Sequence, residues 1–557
     1  MLNYEFSDNN LQLRQLFFWG CFTIVTLIFV LALHAYLKGA ERLPIFPYLF
    51  SIQDRFSACI YLALFICAGA LAYMVKAAFQ IKFIDHLSRN PRPFLLFIFL
   101  ILILGAHFIY GEYPLCMDEY APYFQAQLFT KGHLTTNLPP PIAERIAFQA
   151  FIKGSIASGK LYSAYWPGFA LLLTPFMLLG VPWLCNPVIT VLSLWFVWRV
   201  TGQVTRNKNA RGWALLFAAS SPVVLANGIS FYSMNAHMLF SLMFASLMLD
   251  RTVKKMFLAG VIGSFALVLH NPLPHTLFAL PWIISLFFQK KNLKKQLTLY
   301  AGYLPLGMLL GVGWMLMLTG LVQNGPAQQV AGSGLPGTIL KWLNSALALP
   351  GSYQIWARLA GFAKLILWSS PGLILFAVLG IKQNSGNTGC TLLALSALLT
   401  LLAYSFVSYD QGHGWGYRYF HSAFGVLPIL AGVYISSEKS GLSTSYFHRV
   451  VLSSIILSLL FGTGVRFHQI HTFIDRHLKQ LPASPKDKRT VTFVNTRRGY
   501  YSVDLVHNNP FLTNQHLIFF SFGKENDLKF INTYFPGARP AGHTDVAALW
   551  VLDGKTE

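Results

Sequence analysis

Acidic residues are scarce in this chain. Asp and Glu number 20 against 42 Lys and Arg in 557 residues, and charged residues of both signs make up only 11%. With 54% hydrophobic residues and a mean hydropathy of +0.50, that shortage excludes an ordinary soluble globule, because the apolar surface needs lipid. Six cysteines (Cys21, Cys59, Cys67, Cys116, Cys185, Cys390) show no CxxC pair and no His-interleaved metal spacing. Only Cys116 and Cys185, expected on the same side of the membrane, leave a disulfide open. There is no phosphate-cradling Gly-rich loop, no internal repeat and no low-complexity tract. No cleavable signal is evident either, since the first apolar run, 16–37, is long enough to span and lacks a small-residue cleavage site.

What the chain does have is apolar runs from end to end. About thirteen are expected to cross a bilayer of about 30 Å, which gives an all-α polytopic membrane protein. The expected spans are 16–37, 57–75, 93–110, 186–199, 212–228, 236–250, 256–270, 276–288, 297–320, 365–381, 391–408, 420–436 and 450–466. The shorter run "GFALLLTPFMLLG", 168–180, contains Pro175. It is read as a helix lying in the outer interface, which keeps Arg199, Arg206, Lys208 and Arg211 inside. Basic residues gather in short clusters between runs, as in "QKKNLKK", so the net charge of +22 reads as cytoplasmic retention and not as nucleic-acid binding. The N-terminus is then cytoplasmic and the C-terminus outside, periplasmic if the membrane is a bacterial inner membrane.

The chain divides into three regions: N-terminal helices over 1–92, a transmembrane core over 93–466, and an outer C-terminal piece over 467–557. The core sends out a first outer loop, 111–185, the short "HNPLPH" turn, and a Gly-rich loop, 321–364, able to close over a substrate. The last piece alternates short β-type runs ("TVTFVNT", "HLIFFSF", "AALWVLD") with polar turns and reads as a small α/β lobe.

Against this acid-poor background, "YPLCMDEYAPYFQAQLFTKGH" places Asp118 and Glu119 side by side just beyond a span. One reading is a helix cap, since apolar residues come next at helical spacing. The other is a general base at the membrane surface, where the head group of an activated lipid-linked donor lies.

In order, "MDEYAPYFQAQLFTKGHL", "GKLYSAYWPGFALLLTPFMLLGVPWLCNPV" and "GHGWGYRYFHSAFGVLPIL" resemble motifs of the GT-C superfamily of polyprenyl-phosphate-sugar-dependent glycosyltransferases. Within it they are most similar to the bacterial branch (glycosyltransferase family 39-like) related to protein O-mannosyltransferases and aminoarabinose transferases. The resemblance covers roughly 93–435. It implies Asp118 as the catalytic carboxylate, Glu119 as its partner, a polyprenyl-phosphate-sugar donor and a lipid, glycan or protein acceptor. Two departures stand out: Trp166-Pro167 where the family has two prolines, and Asn271 before Pro272 where relatives carry an Arg. The work of that Arg would pass to His270 or His275.

Arg418 offers a bidentate fork to phosphate, or else snorkels from a helix end. Lys160 and Tyr162 are phosphate partners or interface anchors, and Tyr165 and Trp166 are pocket residues or an aromatic belt. His237 and Tyr419 complete the candidate pocket, whereas Asp410 and His413 read as structural. No cofactor is required; Mg²⁺ or Mn²⁺ at the acidic pair stays open, with no metal cluster to support it. The chemistry expected is direct displacement with inversion at the anomeric carbon. The alternative is a lipid or solute transporter, against which stand the missing repeat and the collection of charges on one face; a structural or assembly protein is a third reading, for which the terminal lobe would be the best argument.

Overall fold

The computed structural model describes residues 53–288, 293–322, 349–409, 411–412, 414–437, 446–485 and 487–552. The expected span 16–37, most of the 321–364 loop, Asp410 and His413 lie outside the described residues.

The chain is mostly helical. Its principal elements are α1 (Arg55–Met74), α2 (Arg92–Leu104), α3 (Met117–Thr130), strands β1 (Ile152–Ser155) and β2 (Lys160–Ser163), α4 (Gly168–Leu178), α5 (Cys185–Val204), α6 (Met234–Asp250), α7 (Val253–Leu267), α8 (Leu273–Phe287), α9 (Ser352–Leu367), α10 (Thr388–Ala403) and α11 (Thr463–Leu478). Among the described residues, six helices are long and apolar enough to cross a membrane: Arg55–Met74, Arg92–Ile109, Pro182–Val204, Leu293–Leu318, Thr388–Phe406 and Tyr446–Leu478. Shorter apolar helices, α4 and α8 among them, pack beside these. In α2, Leu95, Ile98 and Leu102 face the bundle, while Leu96, Phe97, Leu100 and Leu104 are exposed. A helix apolar on every side needs lipid on the face that the protein does not cover. This is a multi-pass membrane protein.

Three expected spans take a different form. The run 212–228 divides into Asn209–Ala219 and Pro222–Gly228, and 365–381 falls across the gap between α9 and Leu373–Gln383. Both breaks carry Ser-Ser-Pro, at 220–222 and 369–371, because proline supplies no N–H and disfavours helix in the residue before it. The freed backbone groups satisfy one another: Val223 N donates to Trp368 O at 2.9 Å, and Ser370 N donates to Ser221 Oγ at 2.9 Å. The run 450–466 is the middle of a longer helix of 33 residues, Tyr446–Leu478. Within it, buried Arg466 meets Asp54, 2.7 Å away, which Lys364 of α9 also reaches at 2.6 Å. The terminal lobe therefore starts later than 467.

That lobe is a four-stranded sheet in the order β4 (His516–Phe520), β3 (Thr490–Val494), β6 (Ala547–Leu552), β5 (Ala538–His543). β3 runs parallel to β4 and antiparallel to β6, and α12 (Lys524–Tyr534) covers the sheet through Phe530 and Ile531. The lobe and the first outer loop, expected as separate pieces, form one body: Tyr120, Phe124, Ile142 and Leu161 share a core with Val491, Phe493, Phe519 and Phe530. Buried Arg145 joins them, 2.6 Å from Asp527, donating to Phe520 O and lying over the Phe493, Phe522 and Phe530 rings.

Candidate active site

The adjacent carboxylates of α3 point to different places. Cys116 is the N-cap and makes no side-chain cap bond, so the free N–H groups of the first turn depend on other side chains. Glu119 reaches back past the N-cap to accept from Leu115 N at 2.6 Å. It also accepts from Tyr110 Oη at 2.7 Å and from Phe231 N at 3.3 Å, and it is fully buried. Glu119 thus ties the start of α3 to the end of the preceding span and to the 229–233 segment. Burial pushes its carboxyl up to about 8, against the lowering effect of these three donors. Glu119 anchors the entry to α3, while Met117 N of the first turn donates to Asp504 Oδ1 at 2.9 Å.

Asp118 turns the other way and keeps 22% of its side chain exposed. Arg418 Nη2 donates to Oδ2 at 2.7 Å, and Tyr165 Oη donates to Oδ1. Burial alone would raise its carboxyl; the Arg418 guanidinium, His270 and the Tyr165 hydroxyl outweigh burial and hold it below the usual carboxylate range. It is an ionised carboxylate at neutral pH.

Arg418 is placed by the "QGHGWGYR" stretch. Gln411 O accepts from Nη2 at 2.5 Å, and Gln411 Oε1 accepts from the Arg418 backbone N–H at 3.1 Å. Gly414 has φ +142°, and a Cβ there would stand 2.6 Å from Arg418 Cδ, so glycine is what lets the loop fold around this side chain. The guanidinium lies 4.6 Å above the Tyr232 ring. Its Nε and Nη1 are buried without a hydrogen-bond partner among the described residues.

Tyr165 is held by a second close approach. Trp166 N donates to His270 O, Gly168 N to Val268 O and Phe169 N to Leu269 O, which staples the start of α4 to the turn after α7. A Cβ on Gly168 would meet Val268 O at 2.6 Å. The staple stacks Tyr165 on His270 with centroids 3.8 Å apart, and His237 stands edge-on to His270 at 6.2 Å. His237 Nε2 is buried without a partner among the described residues. Burial lowers the His270 imidazole to about 4, with Asp118 opposing and Arg418 assisting, so at neutral pH it offers hydrogen bonds and no charge.

The remaining candidates lie apart. His275 bonds Tyr303 Oη at 2.7 Å and meets the Phe244 ring edge-on. Tyr419 Oη donates to Tyr409 O, and its ring underlies Arg358. Lys160 is exposed at the turn of the β1–β2 hairpin, with no side-chain bond or ion pair among the described residues, while Tyr162 is buried in the same strand. Trp166 packs toward Gly311. Cys116 and Cys185 are both free: Cys116 Sγ lies 3.0 Å from Tyr232 Oη, and Cys185 Sγ faces Leu172 O. Sequence reasoning missed Gln411 and Tyr232, although the glycine spacing beside Gln411 was a usable signal for a tight loop. No group of three metal-ligating side chains occurs among the described residues.

No family model and no curated protein matches the sequence. Among solved structures, the chain superposes on the crystal structure of ArnT from Cupriavidus metallidurans bound to undecaprenyl phosphate, with a TM-score of 0.53. The chain has the ArnT fold. The match covers 84% of this chain and 100% of that one at 10% identity. ArnT in the apo state gives a TM-score of 0.50 at 11% identity over the same shares. The shared ArnT architecture is the GT-C-like one that the sequence resemblance implied; at one identical residue in ten it is a likeness of fold.

Proposed function

We propose that the chain is a membrane glycosyltransferase that moves a sugar from a polyprenyl-phosphate-linked donor to an acceptor on the extracytoplasmic face. The observation that carries this reading is Arg418, which holds Asp118 through one nitrogen while two others remain buried and unpaired among the described residues. A donor phosphate oxygen satisfies such a guanidinium edge, and it brings the anomeric carbon next to the one carboxylate of the pair that is partly exposed. The ArnT crystal structure with undecaprenyl phosphate supports a polyprenyl lipid as donor carrier.

In this reading the acceptor O–H gives its proton to Asp118 as its oxygen attacks the anomeric carbon. The bond from that carbon to the phosphate oxygen breaks on the far side, with inversion, and polyprenyl phosphate departs with the charge stabilised by Arg418. Tyr165 and Tyr232 fix the two reacting charges, and His270 supplies a neutral hydrogen-bonding wall. Glu119 holds the helix and does not touch substrate. The orientation that suits this chemistry has the N-terminus cytoplasmic, the α3 loop and lobe periplasmic in a bacterial inner membrane, and about thirteen spans in all. The transporter alternative draws on the paired broken helices, but the polar cluster beside them, Asp54 with Arg466 and Lys364, is closed by its own ion pairs.

The test is transfer of labelled sugar from a panel of polyprenyl-phosphate donors in membranes holding equal amounts of intact chain and Asp118→Asn. Donor-dependent transfer that drops at least a hundredfold in the variant is the expected result. An intact chain that transfers from no donor yet moves a lipid or solute across the bilayer would reverse the reading.

A further inference from the structure

A cleft of about 570 Å³ opens where the last turn of α3 meets the lobe. Gln127 and Lys131 line one wall, His133 comes next, and Asn509, Phe511 and Thr513 form the other. Nothing in the proposed transfer reaction uses these residues. At about 1.5 Å per helical residue, Gln127 and Lys131 lie roughly 14–20 Å along the α3 axis from Asp118.

Three features of the cleft select a ligand class. Gln127 Oε1 is a buried acceptor without a donor among the described residues, which a ligand hydroxyl would satisfy. Phe511 is exposed, with its ring 5.7 Å from that of His133, and so offers an apolar platform. Lys131 is exposed and forms no ion pair among the described residues, leaving a cation at the mouth. Amide, aromatic face and cation together match a saccharide with an anionic substituent.

The lobe wall is also built to hold its shape. Asn509 Oδ1 accepts from Phe511 N at 2.8 Å, Asn514 Oδ1 accepts from Asn509 N at 3.1 Å, and Arg489 Nη2 donates to Leu512 O at 3.2 Å. Leu512 sits at φ +56°, a strained position for a leucine, which the surrounding bonds sustain. A wall fixed before binding loses little entropy when a ligand arrives. Met177 closes the remaining side beside exposed Leu178 and Leu179, so the cleft opens next to an apolar helix tip.

We propose that this cleft is a saccharide subsite for a sugar carrying a carboxylate or phosphate, part of the acceptor remote from the reacting hydroxyl. Its assignment to the acceptor rests on the transferase reading; binding itself does not.

The experiment uses the full chain in lipid nanodiscs, titrated with a trisaccharide ending in glucuronate, one ending in glucose 6-phosphate, and one ending in glucose. Both acidic sugars should bind at least tenfold more tightly than the neutral one. Lys131→Gln, a surface change, should bring all three within about twofold of one another, and Phe511→Ala should weaken all three about tenfold. Equal binding of acidic and neutral sugars, no binding at all, or an acid preference that survives Lys131→Gln overturns the proposal. The same sugars carried on a synthetic lipid distinguish the source: a tenfold gain supports a glycolipid, and equal affinity supports a free glycan. Transfer from a donor without acid preference overturns the subsite alone, whereas acid preference without transfer from any donor overturns the transferase reading alone.

Discussion

Two neighbouring acids with opposite surroundings are the central residue-scale feature. Asp118 meets a guanidinium and a tyrosine hydroxyl and stays ionised; Glu119, one position on, is sealed among backbone donors and Tyr110. The raised Glu119 value fixes the sign of a pH effect. A carboxyl held at about 8 in the folded chain and in the ordinary range when unfolded binds its proton more tightly when folded. Its contribution to stability is complete below the ordinary carboxylate range and is lost as pH rises through about 8. The apparent Tm in detergent should therefore fall between pH 5 and pH 8.5, and Glu119→Gln, which mimics the protonated acid, should flatten that slope. A slope unchanged in the variant would assign the effect to another group. Telling the two acids apart was beyond the sequence, because adjacency on a helix turns side chains about 100° from one another, and what each then meets depends on segments hundreds of residues away.

Among elements, α3 and α4 matter most, since they bring Asp118 and Tyr165 together from positions 47 residues apart. The close approach of Gly168 to Val268 O makes a specific demand on size. Gly168→Ala should push the start of α4 off the turn, separate Tyr165 from His270 and lower transfer at least tenfold, with protein abundance retained; transfer rates at matched abundance check this. The α3 body also depends on the lobe, through Met117 N donating to Asp504 Oδ1 and the mutual bonds of Tyr120 and Asn508. Removing one partner of the buried Arg145–Asp527 pair strands the other charge at a cost of about 3–5 kcal/mol. Arg145→Met or Asp527→Leu alone should markedly speed hydrogen exchange in β4 and α3, and the double replacement should recover much of the loss. Equal exchange in all three variants would show that the pair does not clamp the two segments.

For the whole molecule, the apolar runs behind the six long membrane-crossing helices of the described residues were legible, because lipid selects apolar runs whatever their neighbours. The lobe was legible as alternating short strands. Unreadable were the Ser-Ser-Pro breaks as a matched pair and the union of lobe with first outer loop, both of which depend on contacts between distant segments. The carboxylate of Asp54 belongs with these: it joins the foot of α1 to α9 and to the last long helix, with Trp368 Nε1 donating as well. Asp54→Asn keeps the shape and removes the charge that Arg466 faces. Its expected effect is a loss of about 3–5 kcal/mol, read as a lower apparent Tm and reduced abundance; a variant as stable as the original would mark the cluster as dispensable.

The last long apolar helix, Tyr446–Leu478, is longer than a bilayer requires. At about 1.5 Å per residue it runs to roughly 50 Å, against a hydrocarbon core of about 30 Å. The lobe follows the end of this helix along the chain. Because the lobe is bonded to α3 as well, the long helix and the first outer loop hold it from two sides. In the proposed transfer reaction, an acceptor reaching Asp118 would then be admitted or refused by its bulk beneath the lobe as well as by its chemistry.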